Sequence, residues 1–336
     1  MQNKGLMIIN HNTPCACACR YCFYRSCKKA DGIEYFRGEK IALKFNEWRK
    51  SKSLNDFFLS YTISHCADYT QLVDNIKINQ SFDFIGAKFL QINGIGIKND
   101  VELRNYLESV KNAGVINVDT TFFGLSDYHD RFASRNGDFN YLLKIVQTVK
   151  ELRMTIQPTI AIFDDNKDQI AELLSILDKY MTDDSKVSVF LQDYRGNGEN
   201  LENIRLTKSS YEALPDNVRK LINISRYRTE QEWLQLDEWH EQVNRNLVLS
   251  LRLDTIEMIE SMSCDEIIDY LIDLDEKYYS SLPSIEDLSK MYGDAKNQRL
   301  YRQRDLYWKW QKQFIKENGL QLHDVTDERL CGSFRY

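Results

Sequence analysis

The sequence predicts an α/β protein in which a parallel sheet is covered by helices. Three observations support this fold class. Short β-rich stretches, each followed by an amphipathic helical stretch, occur six times in roughly the first 200 residues. Such alternation is typical of parallel strands with helices packed outside. It stops near Leu201, and 336 residues with 43% hydrophobic content are enough for a full core plus an appendage.

The six strand–helix units follow one another along the chain. The predicted strands are residues 5–9, 57–64, 87–93, 115–124, 154–163 and 186–194. Helices are predicted near residues 69–79 and over residues 99–114, 139–152 and 166–181. Asn166 is a suitable N-cap for the last of these helices, because its side chain accepts hydrogen bonds from unpaired backbone N–H groups.

The clearest helical pattern lies in the stretch NDVELRNYLESVKNAG. Val101, Leu103, Leu107 and Val110 stand at helical spacing, and Gly114 is a suitable stop. We therefore expect these four apolar side chains to form the buried face of one helix.

The chain contains eight cysteines, and five of them fall between Cys15 and Cys27. The apolar run that precedes them, residues 6–9, is too short for a signal-peptide core. No apolar run in the chain approaches the length of about 18 residues that spans a bilayer. We therefore expect a cytoplasmic protein without a membrane segment, in which thiols stay reduced. Disulfides within CACACRYC would also be badly strained.

The spacing of the clustered cysteines favours a metal cluster. Cys15, Cys19 and Cys22 form the pattern C-x3-C-x2-C. Three thiolates are able to hold three irons of a cubane [4Fe–4S] cluster and leave the fourth iron open, whereas an electron carrier more often supplies four cysteines. A structural zinc site also uses four ligands. Cys17 and Cys27 are able to complete such a tetrad, so a non-catalytic zinc or iron–sulfur binding module stays open as an alternative.

The cysteine motif resembles that of the radical S-adenosylmethionine (radical SAM) superfamily. The resemblance implies that Cys15, Cys19 and Cys22 ligate a [4Fe–4S] cluster, and that the amino and carboxylate groups of SAM chelate its open iron. Cys17 is not part of the family motif, and we expect it to face away from the cluster as a small side chain.

The same resemblance implies the arrangement of the whole chain. The six strand–helix units fit the partial (β/α)6 TIM-type barrel of the superfamily, and we expect this barrel to occupy residues 1–200. Residues 201–336 are expected to form a C-terminal helical extension that serves as a lid or as a docking surface for substrate.

In such barrels the chemistry lies at the carboxyl ends of the strands. After strand two, where the family usually has Gly-Gly-Glu, this chain has Ser64-His65-Cys66-Ala67-Asp68. Asp68 is expected to replace the glutamate that holds the amino group of SAM. Cys66 is expected to be an ordinary buried cysteine close to this pocket. After strand three, Asn93-Gly94 resembles a tight turn of the family.

The stretch after strand four, TTFFGLSDYHDRFASRNGDF, resembles the corresponding part of peptide-modifying radical SAM proteins. Thr120 and Thr121 are expected to contact the ribose or the carboxylate of SAM. Arg135, or alternatively Arg131, is expected to pair with the SAM carboxylate through a bidentate fork. This chain departs from the family pattern at Phe123, where an aspartate is usual.

Other polar residues near these strand ends have more ordinary expected roles. His129 and Asp130 are expected to cap a helix and to make hydrogen bonds within the scaffold. Beyond strand six, Gln192, Tyr194 and Arg195 are candidates for contacts with the substrate.

The last third of the chain reads as helices with few Gly or Pro. The predicted helical stretches are residues 229–253, 263–282 and 297–319. Residues 225–292 hold 16 Asp and Glu against 6 Lys and Arg, which predicts a solvated acidic layer. Cys264 and Cys331 are isolated here, so a second iron–sulfur cluster is not expected.

The last predicted helix is basic and aromatic. Leu300, Tyr307, Trp310 and Phe314 follow helix-like steps, and such a stripe more often packs onto a core than binds nucleic acid. The net charge of −6 also disfavours binding to phosphate backbones.

The resemblance implies an enzyme that uses a [4Fe–4S] cluster and S-adenosylmethionine. One electron from a flavodoxin- or ferredoxin-type donor leads to cleavage of SAM into methionine and a 5′-deoxyadenosyl radical, which abstracts hydrogen from an unactivated carbon. The stretch after strand four favours a peptide or amino-acid-derived substrate. The alternative is a radical SAM step on a small-molecule metabolite, such as rearrangement, epimerisation, or C–C or C–S bond formation.

Overall fold

A computed structural model describes most of the chain. The described residues are 5–11, 15–22, 32–63, 67–191, 198–236, 239, 246–320 and 322. Several residues discussed above lie outside this part, namely Cys27, Ser64, His65, Cys66, Gln192, Tyr194, Arg195 and Cys331.

Strands and helices alternate through the first part of the chain, as the sequence predicts. The strands of the described residues are β1 (Gly5–Asn10), β2 (Phe58–Ile63), β3 (Phe89–Gln91), β4 (Asn117–Phe122), β5 (Thr155–Ile162), β6 (Ser188–Leu191), β7 (Arg228–Thr229), β8 (Leu247–Leu251) and β9 (Leu300–Tyr301). The helices are α1 (Tyr35–Ser51), α2 (Leu72–Ser81), α3 (Asp100–Asn112), α4 (Ser126–Ala133), α5 (Asp138–Glu151), α6 (Ile170–Asp178), α7 (Lys208–Glu212), α8 (Asp216–Arg219), α9 (Glu230–Leu234), α10 (Ile256–Ser261), α11 (Cys264–Ser280), α12 (Ile285–Tyr292) and α13 (Gln303–Glu317).

The strands of the first six units, together with β8, build two parallel sheets. One sheet has the order β2-β1-β8, and the other has the order β3-β4-β5-β6. All of the pairings in these two sheets are parallel, so within each sheet the carboxyl ends of the strands lie at one edge. The prediction of a partial (β/α)6 barrel followed by a mainly helical extension is confirmed.

The two faces of the β3-β4-β5-β6 sheet differ in chemistry. On the outer face, Val118 and Phe122 of β4 pack into one apolar cluster with residues of α3 and α5. Strand periodicity turns the intervening residues to the inner face. There, Gln91 of β3, Asp119 of β4 and Gln157 of β5 stand in register with one another. The inner wall formed by β3 to β5 therefore carries amide and carboxylate groups.

The strand β8 was not expected, because residues 229–253 read as helical. Leu247, Leu249 and Leu251 alternate along β8 and pack into one cluster with residues of α1 and α11. Val248 instead contacts the inner-face cluster that contains Met7. The helical prediction is wrong for this stretch. A leucine-rich run of five residues fits a helix or a strand, and the pairing with β1 makes it a strand.

One detail of α3 differs from expectation. In α3, Leu103, Leu107 and Val110 are buried, but Val101 is 68% exposed. Val101 precedes Leu103 by two residues, about 200° around the helix, and therefore lies on the opposite side. Gly114 has a positive φ of +102°, which suits its predicted role as a stop.

Asn166 precedes a short 3-10 turn, but its side chain does not cap that turn. Its amide donates to the carbonyls of Phe123 (2.6 Å) and Ala161 (2.9 Å), and its oxygen accepts from the N–H of Phe163 (2.7 Å). Asn166 therefore ties the carboxyl ends of β4 and β5 together.

The C-terminal region packs around aromatic residues of α13. Trp310 is fully buried in a cluster with Trp233 and Tyr301, and Tyr307 and Phe314 pack against it. The prediction that this aromatic stripe packs onto a core is confirmed for these residues. Every helix in the described part of the chain is too short or too polar to cross a lipid bilayer.

Candidate functional site

The cysteine segment 15–22 lies across the carboxyl edge of the second sheet. Ala16 donates to the carbonyl of Gly94, just beyond β3 (2.8 Å). Ala18 donates to the carbonyl of Ala133, the last residue of α4 (3.0 Å), and the N–H of Arg20 donates to the carbonyl one residue earlier (3.0 Å). The N–H groups of alternate residues, Ala16, Ala18 and Arg20, thus bind the segment to this edge.

This backbone path places three cysteines on one side. Cys15 and Cys19 are half-buried and Cys17 is 3% exposed, whereas Ala16 and Ala18 are exposed. The structure shows the Cys17 thiol in hydrogen-bond contact with the thiols of Cys15 and Cys19. The expectation that Cys17 faces away from the cluster stays a prediction.

Cys22 reaches the site through a turn. Its N–H donates to the carbonyl of Cys19 (3.1 Å), and its side chain is half-buried. Between the two, Tyr21 packs against Phe123, with ring centroids 5.2 Å apart, and against Phe132 at 6.0 Å. Phe123 stands where the family usually has aspartate, and its position under Tyr21 gives this departure a packing role.

A buried polar network lies beneath the cysteines. His129 accepts from the N–H of Phe123 at Nδ1 (3.2 Å), so Nε2 carries its hydrogen and donates to Asp138 Oδ2 (3.1 Å). The Cys17 thiol lies 3.7 Å from the same carboxylate oxygen. His129, Asp138 and Cys17 are all at most 3% exposed.

The electrostatics of this network follow from its contacts. Burial raises the pKa of Asp138, but the hydrogen bond from His129 and the positive charge of Arg135 lower it more, and the net shift is downward. For Cys17, a hydrogen bond with Cys15 lowers the pKa. A hydrogen bond with Cys19, burial and nearby Asp138 raise it more, so the net shift of the Cys17 pKa is upward.

Asp138 should make folding sensitive to acid. A carboxyl whose pKa is lowered by folding adds stability that is present above its unfolded value of 3.8 and is lost as pH falls through its folded value. We expect the difference in unfolding free energy between the wild type and Asp138→Asn to be constant near neutral pH. It should shrink below about pH 4. Urea titrations at several pH values measure it, and a difference that grows on acidification would contradict this assignment.

The predicted SAM ligand Arg135 is engaged inside the protein. Its Nε donates to Asp138 Oδ1 (2.9 Å), its Nη2 bonds the same oxygen, and its Nη1 donates to the carbonyl of Ile95. Its side chain is 10% exposed. Asp130 accepts from the N–H groups of Gly137 (2.6 Å) and Phe139 (2.9 Å), so its predicted role as a helix cap is confirmed, for α5.

Asp68 binds the loop that follows β3. It accepts from the N–H of Gly96 and pairs with Lys98 Nζ at 3.2 Å, with 21% of its side chain exposed. Asp68 and Arg135 thus bind the same loop, residues 95–98: Asp68 binds Gly96 and Lys98, and Arg135 binds Ile95. The structure brings them to one edge of the barrel.

Thr120 and Thr121 do not share a face. Thr121 lies on the inner side of β4, and its backbone exchanges two hydrogen bonds with the Asn93 side chain (2.6 and 2.8 Å). Thr120 lies on the helix side, with Val118 and Phe122, and is fully buried. Period-two alternation makes it impossible for both side chains to face the barrel interior.

This separation predicts different effects for the two threonines. The Thr120 hydroxyl is buried without a hydrogen-bond partner among the described residues, so Thr120→Val should leave the free energy of unfolding unchanged or raise it by up to about 1 kcal/mol. The predicted contact of Thr121 with SAM implies that Thr121→Val weakens SAM binding roughly five-fold, the worth of one hydrogen bond. Denaturant unfolding and calorimetric SAM titration measure both, and equal loss of SAM affinity in the two variants would contradict the assignment.

The donor set fits an iron–sulfur cluster. Cys15, Cys19 and Cys22 are partly exposed thiols on one segment, backed by aromatic rings and placed at the carboxyl edge of parallel strands. No three His, Cys, Asp or Glu side chains of the described residues already surround the position of a single metal ion. Sequence reasoning missed Asp138, because an acidic residue at the start of a helix is common and signals nothing special.

No protein-family model matches the chain, and no curated protein matches it. Among solved structures, anSMEcpe with bound AdoMet (S-adenosylmethionine) is 13% identical, with 93% of this chain and 96% of that chain covered, at a TM-score of 0.52. The structure of anSMEcpe with bound AdoMet and Kp18Cys peptide is 12% identical, with 94% and 98% covered, at a TM-score of 0.51.

Two further proteins match at lower scores. Streptococcus suis SuiB is 15% identical, with 56% of this chain and 40% of SuiB covered, at a TM-score of 0.40. Coproporphyrinogen III oxidase (HemN) from Escherichia coli, a radical SAM enzyme, is 10% identical, with 74% and 64% covered, at a TM-score of 0.43. The match thus spans less than two thirds of either protein. The anSMEcpe matches show a shared fold over nearly the whole chain and leave its reaction open.

Proposed function

We propose that this chain is a radical SAM enzyme in which Cys15, Cys19 and Cys22 hold three irons of a [4Fe–4S] cluster. One observation supports this above all: the segment that carries all three cysteines of the C-x3-C-x2-C motif lies along the carboxyl edge of a parallel sheet. That edge is where barrels of this kind place their chemistry. The shared fold with AdoMet-bound anSMEcpe agrees with S-adenosylmethionine as the second cofactor.

When both are bound, the cluster and SAM supply reductive cleavage of SAM to methionine and a hydrogen-abstracting 5′-deoxyadenosyl radical. The protein supplies binding, orientation and exclusion of water. Among the predicted SAM ligands, Thr121 faces the barrel interior. Asp68 and Arg135 would contact SAM while they keep their ion pairs with Lys98 and Asp138. Thr120 would act only indirectly, from the helix side of β4.

We propose a peptide or amino-acid-derived substrate. The resemblance of the stretch after strand four supports this proposal, and so does the inner wall, where Gln91, Asp119 and Gln157 offer partners for backbone amides. The related fold of anSMEcpe holds a Kp18Cys peptide. A small-molecule metabolite is the second candidate, because the same polar wall suits one.

The remaining parts of the proposal concern the cellular setting and the arrangement of the chain. We propose a cytoplasmic enzyme with a flavodoxin- or ferredoxin-type electron donor. Residues 201–336 would serve as a lid or substrate-docking region beside a barrel formed by residues 1–200, with β8 of the C-terminal part completing the first sheet.

The test is SAM cleavage under strict anaerobiosis. The purified chain is reconstituted with iron and sulfide, reduced with dithionite and given SAM, and 5′-deoxyadenosine is quantified by chromatography. We expect about four irons per chain and accumulation of 5′-deoxyadenosine. Deuterated peptides and deuterated metabolites are then compared as sources of deuterium in 5′-deoxyadenosine. Zinc in place of iron, or iron without SAM cleavage, would overturn the proposal in favour of a binding module.

A further inference from the structure

Cys17 lies between two proposed cluster ligands and contacts both, although it is not part of the motif. We propose that Cys17, held by Asp138, is a positioning residue that fixes the cluster-binding segment in the orientation needed to take up the cluster. This inference rests on the proposed function. It assigns to Cys17, the second cysteine of CACACRYC, a role that neither ligates iron nor simply fills space.

The first support is the direction in which the Cys17 side chain points. Its thiol lies 3.7 Å from Asp138 Oδ2, within the distance of a hydrogen bond from sulfur, and both residues are at most 3% exposed. Cys15 and Cys19, two residues away on either side, are half-exposed. The segment is therefore pinned at its centre and open at the two positions that flank it.

The second support is that Asp138 is itself held from two directions. His129 donates to Oδ2 (3.1 Å), and the N–H of Phe123, just beyond β4, holds the imidazole (3.2 Å). Arg135 bonds Oδ1 and reaches the carbonyl of Ile95 beyond β3. Through one carboxylate, Cys17 is connected to the ends of two barrel strands and to the start of α5.

This connection has a mechanical consequence. The N–H groups of Ala16 and Ala18 bind Gly94 and Ala133, so the backbone on each side of Cys17 already follows the barrel edge. Those bonds fix the position of the segment along the edge, but rotation about it would still move Cys15 and Cys19. The bond from Cys17 to Asp138 removes that rotation. Groups behind the ligands of a metal site commonly change its affinity ten-fold or more, about the effect expected here.

The experiment compares five full-length proteins: wild type, Cys17→Ala, Cys17→Ser, Asp138→Asn and the control Cys264→Ala. Cys264 is also buried, but it lies at the start of α11, in the apolar cluster that contains residues of α1 and β8. Iron and sulfide per chain are measured after anaerobic reconstitution, together with the rate at which a chelator removes iron. Electron paramagnetic resonance of the reduced cluster is recorded with and without SAM, and thermal unfolding is recorded before iron is added.

We expect Cys17→Ala and Asp138→Asn to lose iron to the chelator roughly ten-fold faster than wild type. Cys17→Ser, which keeps a donor for Asp138, should recover most of the difference. Cys264→Ala should hold iron as the wild type does. If Cys17→Ala also melts like the wild type before iron is added, loss of fold does not explain its faster iron loss.

Three results would overturn the inference. One is iron retention by Cys17→Ala equal to that of wild type. Another is equal iron loss in Cys17→Ala and Cys264→Ala. The third is a SAM-dependent spectral change that appears only when Cys17 is replaced, which would make Cys17 a fourth ligand that closes the cluster. Failure of the wild type itself to bind iron would instead refute the proposed function.

Discussion

Replacing Cys15, Cys19 or Cys22 with alanine, one at a time, is expected to reduce SAM cleavage below detection. Each replacement removes one of three thiolates, and a cubane cluster held by two protein ligands is not retained. Iron should fall from about four atoms per chain to well below that value after gel filtration. Iron analysis and 5′-deoxyadenosine production, measured on the same samples, give both quantities.

The structure supplies the controls for this series. Cys264→Ala removes a buried cysteine far along the chain and should leave iron content and SAM cleavage unchanged. Cys17 lies beside Cys15 and Cys19, so residual iron in Cys19→Ala is best tested with the double variant that also carries Cys17→Ala. SAM cleavage retained in Cys19→Ala, with Cys17 also replaced, would refute the ligand assignment.

Glu230→Ala is expected to cause the largest loss of stability in the C-terminal region. Glu230 is fully buried at the start of α9 and accepts from Asn297 Nδ2 (2.6 Å), Trp310 Nε1 (3.1 Å) and Lys309 Nζ (2.9 Å). Alanine leaves these donors without an acceptor and one cation without its counter-charge. Breaking a buried pair in this way costs about 3–5 kcal/mol, a large share of the stability of a typical domain.

Two further variants test the reason for this loss. Glu230→Gln keeps the shape but brings an amide group towards three donors, so its cost should lie between those of wild type and Glu230→Ala. Glu276→Ala, on the exposed side of α11, should change the free energy of unfolding by less than about 0.5 kcal/mol. Urea denaturation followed by circular dichroism measures all three. A cost for Glu230→Ala no larger than that for Glu276→Ala would show that the buried network contributes little.

The parts of the fold that were predictable depend on short-range patterns. All six predicted strands are present, because runs such as GLMII and MTIQPTIAIF have the alternating or continuous apolar pattern of buried strands. α3 and α11 follow from their apolar spacing and capping residues in the same way. β8 was missed because five leucine-rich residues fit a helix or a strand, and β1, more than 230 residues earlier, decides between them.

In the candidate site, too, some features depend on neighbouring residues and others on distant contacts. The sequence by itself determined that Cys15, Cys19 and Cys22 belong to one segment and that this segment follows a strand, since both statements depend on neighbouring residues. Only the tertiary structure decided that Cys17 points to the same side as Cys15 and Cys19 and is bound by Asp138, which is 121 residues away. It also decided that the Arg135 side chain reaches the carbonyl of Ile95, 40 residues earlier in the chain. Such contacts arise when distant strand ends meet at one edge of a sheet, and no local periodicity records them.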